Sequence, residues 1–276
     1  MANRREQRID LGGSGCHGEP VFNIFTDYLQ PESCTTAAQV ATRISLLAPP
    51  TNDGNKLWEF LDYLWSSICK FAEQIPHDNI AQDKLVDAIL ELMLLPDTGI
   101  DIWCMHMWED LPLLYAAFSE HINLFKYSDF ENIQLELDKE WIRFYAFGAR
   151  LTAADVFSHT LPIAMVSKAL EGRKKPCSSR KLNRDLSTAA VCIDYAGLVL
   201  VEELASNPHP VPDDDNEIEG GPLFKGKPGL TLERWLFWEK RFPEEAEKAT
   251  TSEAKELALR AARSMKIWRE TRLEGI

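Results

Sequence analysis

A glycine run ending in lysine is one way a chain holds phosphate, and Gly221, Gly226 and Lys227 fill the first seven positions of such a loop, G-x-x-x-x-G-K. The eighth position should carry a Ser or Thr hydroxyl for magnesium. It is Pro228, which also removes a backbone N–H that would face the phosphates. The residues ahead, PDDDNEIEG, form an acidic turn-like stretch rather than a buried strand. The nucleotide reading is therefore rejected. What remains is a glycine-proline loop presenting Lys225 and Lys227, with Arg234 on the helix that follows, as candidate ligand contacts.

Three other residues could move a proton. His77 and Asp78 follow Pro76 at a helix start, where a histidine beside a carboxylate suits a general base or a contact for a ligand's polar end. The structural reading of the same pair is a capping Asp78 and a His77 bonded to a backbone carbonyl. Asp194 interrupts the most apolar helix, three residues before Gly197, on a face that allows close approach of another element. A buried carboxylate needs a partner or shifts its pKa upward, so Asp194 reads first as an ion pair or wet edge and second as a pocket acid.

Other chemistries fail on spacing. No Glu precedes any of the six histidines by three residues, and H-E-x-x-H is absent, so no metal site and no cofactor is expected. The glycine-serine cluster at 12–15 lacks the second glycine of G-x-S-x-G. Cys104 and His106 lie two apart in an apolar segment and read as core. Trp103, Trp108, Trp141, Trp235 and Trp238 could wall a cavity for an apolar ligand, or simply pack the core.

The elements that must position these residues read as helices. Leu57, Leu61, Leu64, Ile68, Phe71 and Ile75 repeat at alternating spacings of four and three, with Trp58 and Trp65 widening the stripe. Pro76 stops that helix, Asp78 can cap the next, and Leu85, Ile89 and Leu92 mark its antiparallel partner. Ser128 and Glu131 form a capping box before a stripe of Ile133, Leu137, Trp141 and Phe144. Thr152 and Asp155 can cap a further short helix. DLSTAAVCIDYAGLVLVEEL is apolar nearly all round and reads as the central helix. Thr231 caps a helix whose Leu232, Trp235, Trp238 and Phe242 share a face, while Arg234 and Arg241 share a neighbouring one. Pro243 closes that helix or opens the next. A last stretch rich in helix formers completes an all-α domain of roughly 8–11 helices over 21–276, after a disordered tail over 1–20 and with surface loops near 172–181 and 207–229.

Three segments carry a resemblance: QIPHDNIAQDKLVDAILEL (74–92), DIWCMHMWEDLPLL (101–114) and GGPLFKGKPGLTLERWLFWEKRF (220–242). Together, over about 55–270, they resemble a fungal family catalogued only as a domain of unknown function. The resemblance implies an all-helical fold and a fungal source. It brings no activity, substrate or catalytic residue.

Composition narrows the partners. The chain carries 43 acids against 30 bases, a net charge of -13, so its averaged field repels nucleic acid and acidic membranes. The basic runs Arg4, Arg5 and Arg8, and Arg173 to Lys181, read as a tail and a solvated loop. Six cysteines without C-x-x-C, no signal-like N-terminus and no long apolar run point to a cytoplasmic or nuclear protein with free thiols. The leading expectation is a non-enzymatic binding or interaction module. Its alternative is a cofactor-independent enzyme or carrier for a small apolar metabolite, with His77, Asp78 or Asp194 as acid or base, in fungal specialised metabolism. A protein partner or a small apolar ligand fits either, and oligomeric state is not readable.

Overall fold

The computed structural model describes residues 7–9, 11, 20–49, 54–127, 134–172, 178–207 and 218–273. Among these residues the fold is all-α, with ten helices and one two-stranded hairpin. The glycine-serine cluster at 12–15, the capping box of Ser128 and Glu131, Ile133, the basic run 173–175 and the acidic stretch 208–217 lie outside the described residues. The chain forms two compact units, Met1–Phe144 and Tyr145–Ile276.

The first unit contains α1 (Pro20–Tyr28), α2 (Ala37–Leu47), α3 (Gly54–Gln74), α4 (Ala81–Met93), the strands β1 (Asp101–Ile102) and β2 (Met105–His106), α5 (Leu114–Tyr127) and the first part of α6 (Gln134–Ala153). Thr36 and Gln39 start α2 with a reciprocal capping box. The stripe of α3 from Leu57 to Ile75 is buried as the spacing requires, and Trp65 is fully buried, its indole N–H donating to Pro112 O at 2.8 Å. Trp58 departs from that stripe and is 42% exposed. α3 packs chiefly on α5, and α4 on α2, so the expected α3–α4 partnership reduces to a slight contact. Within the stretch read as a tail, Ile9 is buried and exchanges two backbone hydrogen bonds with the Gln30 side chain, while Gln7 O accepts from Asn79 Nδ2 at 3.1 Å. Those bonds satisfy polar groups that an unattached strand of chain would leave to water.

The second unit takes in the end of α6, α7 (Thr160–Leu170), α8 (Ser179–Ser206), α9 (Leu232–Ala246) and α10 (Ser252–Arg272). α8 is the central helix and packs against α7, α9 and α10. Its Gly197 is a contact point: a Cβ there would meet Trp268 of α10 at 2.5 Å. No helix is capped by Thr152 or Asp155. Thr152 donates back to Gly148 O and to Ser158 O, Asp155 takes a left-handed φ of 59° in the turn after α6, and α7 begins at Thr160. Pro243 neither closes α9 nor opens a new helix, since α9 continues through it to Ala246. Thr231 and Thr251 cap α9 and α10 through hydrogen bonds to Arg234 N and Ala254 N.

Candidate functional site

Glu171 is the C-cap of α7, its N–H donating to Ser167 O at 2.8 Å, and α9 brings in Arg234 one turn past its Thr231 cap. Both side chains have 0% exposure. Arg234 Nε donates to Glu171 Oε1 at 2.7 Å and Nη2 to Oε2 at 3.0 Å, a bidentate pair. Nη1 donates to Ile218 O at 2.7 Å and Gly229 O at 2.8 Å, and Nη2 also reaches Ser167 Oγ at 2.8 Å and Glu219 O at 3.0 Å. A guanidinium has five N–H donors, and every one here is directed at a protein acceptor. Burial pushes the Glu171 carboxyl up, but bonds from Arg234, Gly221 N–H and Trp238, with the guanidinium charge, outweigh it and hold it below the usual carboxylate range.

The glycine loop closes around this pair. Gly221 N donates to Glu171 Oε2 at 2.8 Å, Trp238 Nε1 to Oε1 at 2.6 Å, and Leu223 N to Glu171 O at 3.0 Å. A Cβ on Gly221 would lie 2.6 Å from Glu171 Cβ, so only glycine fits, and Gly229 turns the chain with φ 75°. The anion beside this phosphate-loop look-alike is thus the chain's own carboxylate. Lys225 and Lys227 are exposed, whereas Trp235 and Trp238 are fully buried.

His77 and Asp78 sit half-buried in the turn between α3 and α4. The structure gives Asp78 no capping role: Asn79 Oδ1 accepts from Ala81 N at 2.9 Å, which satisfies the orphan donor at the start of α4. Two residues of the same segment, unmarked by sequence pattern, do more. Gln82 is fully buried, and its Nε2 faces Ala72 O, Ile75 O and Arg143 O at 2.9, 3.0 and 3.3 Å, closing the C-terminus of α3. Lys84 Nζ donates to Tyr28 O at 3.0 Å and Gln30 O at 2.8 Å, closing α1. Asp194 lies at an edge of α8 and pairs with Arg260 of α10, whose Nε is 3.0 Å away and whose Nη2 is closer still.

A further titratable group joins three helices of the first unit. His121 of α5 is buried, its ring tilted against that of Phe144 with centroids 4.7 Å apart, and it meets Glu73 of α3 through Nε2 at 2.6 Å. Glu140 of α6 stands close by, its carboxyl pushed up by burial and by Glu73 and Glu136. His121 and Glu73 lie 48 positions apart in sequence, which hides their pairing from any local motif. Among the described residues no group of three His, Cys, Asp or Glu could hold a metal ion.

The tryptophans divide sharply. Trp108 and Trp141 are buried with Trp235 and Trp238, and Trp103 is 70% exposed. Trp103 and Cys104 form the two-residue turn between β1 and β2, with φ 52° and 64°. Positive φ at both central positions defines the tight hairpin turn that usually selects Asn-Gly. The core position expected for Cys104 is overturned, since the turn holds its side chain in solvent. A cavity of about 40 Å³ lies at the hairpin base, between Met93, Leu95, His106 and Trp108. An open cleft of about 630 Å³ is lined by Asn23, Thr26, Asp27, Thr35 and Gln39, among others, and by none of the candidate site residues.

An all-α protein whose basic signature loop is locked by a buried arginine–glutamate knot is the class that fold and site define. Residues 65–242, well over half of the chain, match the family described as protein of unknown function (DUF3632), and the chain belongs to that family. No curated protein and no solved structure matches it. The matched span includes the Gln82 turn, the hairpin and the knot.

Proposed function

We propose that this protein is a non-enzymatic interaction module of the fungal cytosol, and that it engages a protein partner through the hairpin Asp101–His106 with Trp103 as anchor. The carrying observation is Trp103 itself: 70% exposed, at the tip of a tight turn, on left-handed backbone shared with Cys104. A non-glycine residue in that conformation costs roughly 1–2 kcal/mol, and Asn-Gly would relieve the turn. A bulky aromatic kept there at that cost suits contact, because exposed tryptophans are frequent anchors of protein interfaces. The knot supports the same reading, because Arg234 has its donors engaged within the fold. Cys34, Cys69, Cys104 and Cys192 are free thiols, which accords with a reducing compartment. No helix among the described residues is long and apolar enough to cross a membrane.

The test is the double variant Trp103→Asn/Cys104→Gly. It should melt at the same temperature as the wild type or higher, and it should lose the proteins that the wild type captures from a native fungal extract. Capture of the same set by the variant would refute the hairpin as the contact element.

A further inference from the structure

The geometry points to a basic protein segment, one carrying arginine or lysine beside apolar residues, as the occupant of the Trp103 hairpin. This rests on the interaction reading above and adds the chemistry of the partner. Between Lys84 and Lys126 the sequence has seven carboxylates and no lysine or arginine. Four of them, Asp97, Asp101, Glu109 and Asp110, belong to the hairpin and its flanks, and all four are exposed. His106 engages two of them. His106 is exposed, with Nδ1 3.0 Å from Asp101 Oδ1 and its N–H bonded to Asp110 Oδ2 at 2.6 Å. The charge of Asp101, with Asp97 and Asp110 behind it, raises its pKa.

The apolar part of the surface is equally specific. Trp103 is 70% and Leu94 76% exposed, and the residues flanking Leu94 line the small cavity at the hairpin base together with His106 and Trp108. An aromatic face and an aliphatic side chain among carboxylates match the two halves of an arginine or lysine: the cation over the ring or against a carboxylate, and its methylene stem along the apolar surface. The same field repels phosphate, so a nucleic acid or an anionic bilayer is the wrong occupant. A second copy of this chain, itself at net charge -13, is repelled as well.

The full chain labelled with 5-fluorotryptophan is titrated, with fluorine NMR as readout, against a short capped peptide of arginines and leucines and against the same peptide with glutamates for arginines. The arginine peptide should shift the Trp103 resonance and the glutamate peptide should not. Trp103→Ala should weaken binding about tenfold, as loss of an interface anchor does. Asp97→Asn/Glu109→Gln should weaken it and flatten its salt dependence. Glu253→Gln/Glu256→Gln, at exposed positions near the start of α10, should leave binding within about twofold, the scale of isolated surface charges. Equal weakening by the α10 variant, or an unmoved Trp103 resonance at saturation, overturns the proposal. A photo-crosslinker at Leu94, used in native extract, separates the two readings. Trp103-dependent crosslinks to basic segments support both. Crosslinks to neutral or acidic segments, or to a second copy, overturn the basic partner and leave the interaction module standing; no Trp103-dependent crosslink overturns both.

Discussion

In the 75–86 segment of the first unit, Gln82 and Lys84 turn their donors onto the last carbonyls of α3 and α1, with no acidic partner in any of those bonds. In the 218–238 segment of the second unit, Arg234 and Glu171 take each other out of water first and only then tie down the loop. Both arrangements fix a chain end or loop to a helix terminus. They differ in what remains when one member is removed. Loss of Gln82 leaves neutral carbonyls, whereas loss of Arg234 leaves a carboxylate with no exposure and no counter-charge. Desolvation of an ion costs far more than desolvation of an amide, so the second unit should be the less forgiving one.

The largest effect is therefore expected at the knot. Arg234→Met should lower unfolding free energy by about 3–5 kcal/mol, the range for stripping one partner from a buried pair. Guanidinium denaturation at neutral pH reads it, and the double variant Arg234→Met/Glu171→Leu should recover much of the loss, because no buried charge is then stranded. A double variant as unstable as the single would mean that the loop carbonyls of Ile218, Glu219 and Gly229 carry the cost. Next comes Gln82→Leu, at about 1–3 kcal/mol for the helix-end carbonyls it leaves without donors. If Gln82→Leu proved the more damaging change, the ranking of ionic over neutral closure would be reversed.

The parts of this comparison that are periodic were legible in sequence, and the parts that depend on distant partners were not. The α3 stripe, the Thr231 cap and the close approach at Gly197 follow from spacing and residue type alone. Arg234 read as one of two arginines on a face beside the aromatics because its partner lies 63 positions earlier, at a helix end with nothing local to mark it. Gln82 looked like an ordinary polar residue of a first turn; its acceptors belong to the helix before and to α6. The hairpin was missed because each strand is two residues long and Trp-Cys stands where Asn-Gly would announce the turn. The charged character of the 220–242 block was visible, and the direction in which it faces was not.

The smallest expected effect sharpens the contrast through pH. Glu171 has a folded pKa below its unfolded value, so its contribution to stability is present above the ordinary glutamate pKa and is lost as pH falls through the folded value. Glu140 of the first unit has the opposite sign. Burial and the neighbouring Glu73 and Glu136 raise its carboxyl, against the pull of Arg143 and His121. The folded chain then binds the proton more tightly than the unfolded one, so stability falls as pH rises through the raised value. Glu140→Gln removes that repulsion and should stabilise the protein at neutral pH by a fraction of about 1 kcal/mol, since solvent screens a half-exposed group. The gain should shrink towards zero near about pH 4, where the wild-type carboxyl is itself largely protonated. Urea midpoints of the two proteins at both pH values measure it. A destabilised Glu140→Gln at neutral pH would mean that the attraction of Arg143 and His121 outweighs the crowding of carboxylates, and that both units rely on ionic attraction after all.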